Sequence, residues 1–250
     1  MTTLIRREMD ATVSILTMDK PPHNLIDGKF LDQFCAELEA SVEDGARSIL
    51  IRSDLRHFSA GADVSSLTSD AIDSANSLKR IESIPIPTVA AIHGAALGGG
   101  FELALTCDLI IAAETAKIGS VEVGIGLAPL LGAIQRLVAL AGPARAREIT
   151  MLGRRYSPDV LERWGVINMV VPDAELVSAS LSLARQLGAG PTVAIGAIKR
   201  IVQIASDEGT RAADEALDKE LSDMWSSNDV KVGMEAMKNT GPGTAIFEGK

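Results

Sequence analysis

The chain is poor in several residue types, and each shortage narrows what it can be. Only two of its 250 residues are cysteine, Cys35 and Cys107. They lie far apart in apolar segments, outside any C-x-x-C pair or His/Cys cluster, so both read as buried thiols. A chain this long, 46% hydrophobic, builds one substantial core with no need of a disulfide or metal staple. Long apolar runs are missing too. The longest uncharged stretch, Ser83 to Phe101, is interrupted by two prolines and four glycines, and "MTTLIRREMD" lacks the apolar run of a secretory signal. The expectation is a cytoplasmic protein with no membrane partner. Positive charge is also short, with 24 Lys and Arg against 33 Asp and Glu, a formal net charge of -9. That balance argues against a nucleic-acid surface. Internal repeats and low-complexity tracts are absent, which leaves a second full domain without support.

What is present alternates. "ATVSILTMDKPPHNLID" begins with β-branched, strand-like residues and ends at a Pro-Pro turn, so a strand stops near Asp19. From Asp27 the spacing becomes helical, with Phe30, Phe34, Leu38 and Val42 at four-residue steps and Gly45 as the stop. "RSILIRS", "TVAAIHG" and "DLIIAAE" read as buried strands separated by helical or glycine-rich crossovers. "LLGAIQRLVALAG" and "ARAREITMLG" read as two helices, and beyond Pro172 the pattern is helical almost to the end. The expectation is an α/β core over residues 1–190, with 191–250 a helical region of the same domain.

The chemistry concentrates in "IHGAALGGGFELALTCDLIIA", where three consecutive glycines lead into a glutamate among apolar neighbours. Glycine weakens a helix by roughly 1 kcal/mol relative to alanine, so a triplet here implies a sharp bend or a close approach. A phosphate cradle does not fit. A G-x-G-x-x-G frame opening at Gly98 finds Leu103 where it needs glycine, and a P-loop frame from Gly94 finds Gly100 where it needs lysine. An oxyanion hole fits better, because unpaired N–H groups at a helix start stabilise a carbonyl oxygen that gains charge. A second donor is offered by "HFSAGADV", where the N–H of Ala62 would face the same point. Two carboxylates complete the set: Glu102 at the start of an apolar helix, and Glu122 in "IGSVEVGIGLAP". Either alone reads as an acid serving a helix dipole or binding nearby amides; together, beside glycine turns, they point to acid–base work. Asp63 reads as a cap for a following helix, and His57 and His93 as structural.

The "PPHN" turn, "FSAGADV", "HGAALGGGFELALTCDLIIAAETAKIG", "VEVGIGLAP" followed by "QRL", and "YSPDVLERWGVINMVVP" occur in an order and spacing that resemble the crotonase superfamily, the enoyl-CoA hydratase/isomerase family. The resemblance runs from the first strand to the C-terminal helices. It implies a crotonase-like spiral of ββα units, and a C-terminal helical region that forms homotrimers, often paired into hexamers. It also implies an acyl-CoA thioester substrate, with coenzyme A part of the substrate and no further cofactor or metal. Ala62 and Gly99 would form the oxyanion hole. Glu102 would deprotonate the water that attacks C3, and Glu122 would supply the proton to C2. Coenzyme A would enter over Pro22 and His23, with its adenine near Ala60 and Val64. Two departures stand out: Val121 precedes Glu122 where the family often has proline, and "LLGA", residues 130–133, replaces a glycine-rich "GAGG". Leu130 and Leu131 would add bulk at the acyl site. Two glutamates favour hydration over isomerisation, which needs one acid to shuttle a proton. An RNA-binding role is disfavoured by the acidic first helix, and a catalytically silent interaction subunit by the intact glutamate pair.

Overall fold

A computed structural model describes residues 4–66, 68 and 73–250. Its framework is a six-stranded sheet in the order β1 (Ile5–Asp10), β2 (Val13–Met18), β3 (Ser48–Ser53), β4 (Thr88–Ile92), β6 (Leu109–Ala113), β8 (Met169–Val171). Only the β1–β2 pair is antiparallel; the others run parallel. Parallel strands covered on both faces read as continuous apolar runs rather than alternating ones, which is the pattern of "SILIRS", "TVAAI" and "LIIAA". One face, carrying Val13, Ile15, Leu50, Val89, Ala91 and Ile111, packs under α6 (Leu176–Ala189). The other face joins the main core, with Phe30, Phe34 and Leu38 of α1 (Gly28–Glu43). The α1 helix starts where expected: the Asp27 side chain accepts from the Phe30 N–H at 2.7 Å and caps it.

A second, smaller layer explains the spiral. The short strands β5 (Ala95–Leu97) and β7 (Lys117–Gly119) pair in parallel, and single bridges add Ser59 to Ala96, Ile26 to Ala62 and Ile118 to Tyr156. Each turn of the chain thus gives one long strand to the large sheet and one short extended stretch to the second layer. It then passes into α1, α2 (Ser74–Glu82), α3 (Gly99–Leu105), or the run through α4 (Ala133–Leu152) and α5 (Pro158–Arg163). The two helices expected across residues 130–153 are both present within α4, separated at Gly142, whose φ of 77° is not helical and which Pro143 follows.

Four helical pieces close the chain: α6, α7 (Thr192–Glu208), α8 (Thr210–Ser226) and α9 (Asn228–Asn239). The tail returns to the core. Asp229, 1% exposed, accepts from the N–H groups of Glu248 and Gly249, both at 2.8 Å, and Arg47 Nη1 donates to the Phe247 carbonyl at 2.9 Å. No helix among the described residues is long and apolar enough to cross a membrane.

Candidate active site

Each of the three glycines has its own reason. Gly98 has φ 50° and ψ −126°, a conformation that side chains disfavour, and it turns the chain out of β5 into α3. At Gly99 a methyl would sit 3.5 Å from the Ala62 nitrogen, so the two amides are neighbours. At Gly100 a methyl would come within 2.6 Å of Ser59 Cβ and 2.7 Å of the Ser59 carbonyl oxygen, so α3 packs directly on the segment that carries Ala62. That segment is pinned: Ser59 N–H donates to the Ala95 carbonyl, Leu97 N–H to the Ser59 carbonyl, both at 3.1 Å, and Ser59 Oγ to the Asn24 carbonyl at 2.7 Å. The N–H groups of Ala62 and Gly99 donate to no acceptor among the described residues.

Glu102 faces the core from α3 and is 2% exposed. Its Oε1 accepts from the N–H of Leu131 at 2.7 Å and of Ala133 at 3.2 Å, and its Oε2 from the N–H of Leu130 at 3.1 Å. Burial pushes this carboxyl above its ordinary range; the Leu131 amide pulls it back, the charge of Glu122 adds to the rise, and the Ala133 and Leu130 amides oppose it. Glu102 is therefore a buried acid held in one orientation, near enough to Glu122 to feel its charge. Glu122 opens a 3₁₀ turn (Glu122–Ile125). Its Oε2 accepts from the Ser120 hydroxyl at 2.7 Å, while Oε1 is buried without a partner among the described residues. Gly98 lies beside that oxygen, 3.4 Å from it measured from where a Cβ would stand.

The structure thus brings together Ala62, Gly99, Glu102 and Glu122. Two unpaired amides next to two carboxylates, one tied down and one with a free oxygen, can hold an oxyanion and move protons beside it. Leu130 and Leu131 join the site through their backbones, which the sequence does not announce. The Leu131 side chain, 3% exposed, packs in the main core, and that of Leu130 is 41% exposed. Sequence reasoning missed Ser120, whose one available signal is a small hydroxyl two residues before Glu122.

The turn expected to meet coenzyme A lies alongside. Pro22 is exposed and His23 half-buried, and the His23 carbonyl accepts from the Ala60 N–H at 3.0 Å, which ties the turn to the Ala62 segment. Val64 is 63% exposed. The rings of His23 and His57 lie 5.5 Å apart, and burial, then Arg56, His23 and His93, push the His57 imidazole below its ordinary value. Asp63 caps no described helix. It closes a tight turn, accepting from Ser65 N at 3.2 Å and Ser65 Oγ at 2.6 Å; residues 67 and 69–72 lie outside the described residues.

Comparison with known proteins gives this geometry a context. Residues 8–244 match the family model for enoyl-CoA hydratase/isomerase. A probable enoyl-CoA hydratase of Bacillus subtilis is 34% identical over 242 residues, 91% of this chain and 93% of that protein. A carnitinyl-CoA dehydratase of Salmonella typhimurium is also 34% identical, over 88% of this chain and 90% of that protein. Among solved structures, an enoyl-CoA hydratase subunit of Geobacillus kaustophilus superposes with a TM-score of 0.93 at 32% identity, covering 99% of both chains. The fold is therefore that of enzymes acting on acyl-CoA thioesters. The chain belongs to the enoyl-CoA hydratase/isomerase family, within the crotonase superfamily.

Proposed function

We propose that the protein is an enoyl-CoA hydratase, adding water reversibly across the C2–C3 double bond of a 2-enoyl-CoA. The observation that carries this reading is the convergence of the unpaired Ala62 and Gly99 amides on a pair of glutamates whose surroundings differ so sharply. The thioester oxygen accepts from both amides, which drains electrons from C3 and stabilises the enolate that forms; each such donor is typically worth about 3 kcal/mol. Glu102, fixed by its three amide contacts, takes a proton from the water whose oxygen bonds to C3. Glu122 gives its proton to C2 as the enolate collapses. Dehydration of a 3-hydroxyacyl-CoA is the same path in reverse and uses the same groups. Coenzyme A belongs to the substrate in this scheme, and no further cofactor takes part.

Coenzyme A lies over Pro22 and His23, with its adenine near Ala60 and Val64, a reading supported by the exposure of Pro22 and Val64 on one side of the site. The exposed Leu130 side chain limits the acyl group; turnover compared across short and long enoyl-CoAs tests this, and equal efficiency at all lengths would remove it. Assembly as a homotrimer, or a pair of trimers, is supported by exposed apolar residues such as Val138 and Leu140 of α4 and Val202 of α7 along an open groove. Sedimentation at three or six times the chain mass is the expected result, and a monomer would refute it.

The deciding experiment follows the loss of enoyl absorbance when the protein is added to crotonyl-CoA, beside Glu102→Gln and Glu122→Gln. Turnover in the parent, lost in both variants, is expected. Saturable thioester binding with no hydration of any 2-enoyl-CoA would refute hydration and leave isomerisation as the better reading.

A further inference from the structure

The two oxygens of Glu122 are not equivalent, and the difference has a single source. Oε2 is occupied by the Ser120 hydroxyl at 2.7 Å, the usual length for a hydroxyl donor. Oε1 is buried, and no donor among the described residues reaches it. A buried acceptor left without a partner carries a desolvation penalty, and native structures retain few of them. Ser120 itself is 1% exposed and Glu122 is its one side-chain partner among the described residues.

Ser120 is also placed by the same backbone that places the oxyanion amides. It follows β7 directly, β7 pairs with β5 through Ala95–Lys117 to Leu97–Gly119, and the Gly98 N–H donates to the Gly119 carbonyl at 2.9 Å. One residue beyond each of these partners stand Gly99, with its unpaired N–H, and Ser120, with its hydroxyl. The terminal torsion of a glutamate is broad and nearly two-fold, so a carboxylate without a fixed partner has no preferred oxygen to present.

We propose that Ser120 is a positioning residue: its hydroxyl holds Glu122 Oε2 and so presents Oε1 as the one oxygen that exchanges a proton with C2 of the acyl group. The inference rests on the reading that Glu122 handles the C2 proton, and not on the addition of water. In the exchange direction, ionised Oε1 takes the C2 proton, the electron pair passes to the thioester oxygen between the two amides, and a solvent-derived proton returns by the same route. No oxidant or other co-reactant is needed.

The test is C2 proton exchange of saturated butyryl-CoA in deuterated water, read by NMR, alongside equilibrium binding of the same thioester. Ser120→Ala is expected to slow exchange about 10-fold, a fraction of the full general acid–base effect, with the dissociation constant unchanged. Ser120→Thr, which keeps a hydroxyl, is expected to recover most of the rate. A crystal structure of Ser120→Ala should show the Glu122 carboxylate turned from its parent orientation. Unchanged exchange, a fall matched by weakened binding, or an unmoved Glu122 carboxylate would each overturn the proposal. A parent that exchanges C2 protons yet hydrates no enoyl-CoA would remove the hydratase reading alone. A parent that exchanges no C2 proton would overturn the role of Ser120.

Discussion

Replacing Gly100 with alanine makes an ordinary rule and this structure disagree. Gly100 lies inside α3 with no left-handed φ, where alanine is favoured by about 1 kcal/mol on helix propensity. Propensity alone therefore predicts stabilisation. The added methyl would stand 2.6 Å from Ser59 Cβ and 2.7 Å from both the Ser59 carbonyl oxygen and its hydroxyl. Those atoms are held in place by bonds to Ala95, Leu97 and Asn24, so they cannot swing aside as the end of a long side chain would. Overpacking in a core typically costs about 1–3 kcal/mol, and a rigid backbone neighbour puts this site at the upper end. Loosening one buried hydrogen bond adds about 1 kcal/mol, which offsets the propensity gain. The net expectation is a loss of about 3 kcal/mol, or roughly 6–12 °C in Tm for a chain of this size. Because Ala62 lies three residues past Ser59, the displacement also reaches the amide proposed to bind the thioester oxygen, and kcat should fall by up to about 100-fold, the effect typical of one lost donor. Gly124→Ala is the control, since nothing stands within 4 Å of its added methyl. Thermal unfolding and crotonyl-CoA turnover read both effects. A Gly100→Ala protein as stable as the parent, with full kcat, would refute the packing argument.

Glu102 predicts a pH dependence. Its folded pKa is raised, so the folded state binds the proton more tightly than the unfolded chain does; the associated stability is fully present below the ordinary glutamate value of 4.5 and is lost as pH rises toward the folded pKa. Denaturant titrations of the parent and Glu102→Gln across that range should show the extra downward slope only in the parent, and parallel curves would contradict it. Cys35, 1% exposed, has its thiol pushed up to about 11 by burial; a thiol reagent at neutral pH should label it slowly in the native protein and quickly in urea. Equal rates would show that the site opens freely. Asp229→Asn keeps one acceptor for the tail but replaces the other with a donor, at a cost of about 2 kcal/mol for a hydrogen bond to a charged group. Faster amide exchange at Glu248 and Gly249 is expected, and unchanged exchange would mean that the tail is held elsewhere.

The long strands of the large sheet and the amphipathic helices were legible because their signals are local. The run "SILIRS" and the spacing Phe30, Phe34, Leu38 need no knowledge of what they pack against. The β1, β5, β7 and β8 strands were not read. β5, β7 and β8 are three residues each, too short for a periodic pattern, and β1 is an edge strand whose charged run, Arg6, Arg7 and Glu8, hides any apolar alternation. The existence of β5, β7 and β8 is decided by pairing partners far along the chain, such as Lys117 for Ala95 and Ile111 for Met169.

The same distinction runs through the site. Gly98 to Gly100 and the two glutamates were visible because their chemistry depends on side-chain identity, or on the lack of a side chain. What holds Glu102 was not visible, because Leu130, Leu131 and Ala133 act on it through amide hydrogens that every residue except proline carries. This changes the meaning of "LLGA" at 130–133. Read as side chains, the two leucines are bulk set against the acyl group. Read in the structure, the segment is first a backbone cradle, and its sequence is constrained by the positive φ of Gly132 (80°) and by the core that takes the Leu131 side chain. Only Leu130 has its side chain outside the core, at 41% exposure, while its amide still reaches Glu102. In the proposed hydratase, catalytic geometry and acyl selectivity would therefore be separable at this one residue: the N–H of any residue but proline can serve the Glu102 carboxylate, and the side chain is left free to vary with the substrate.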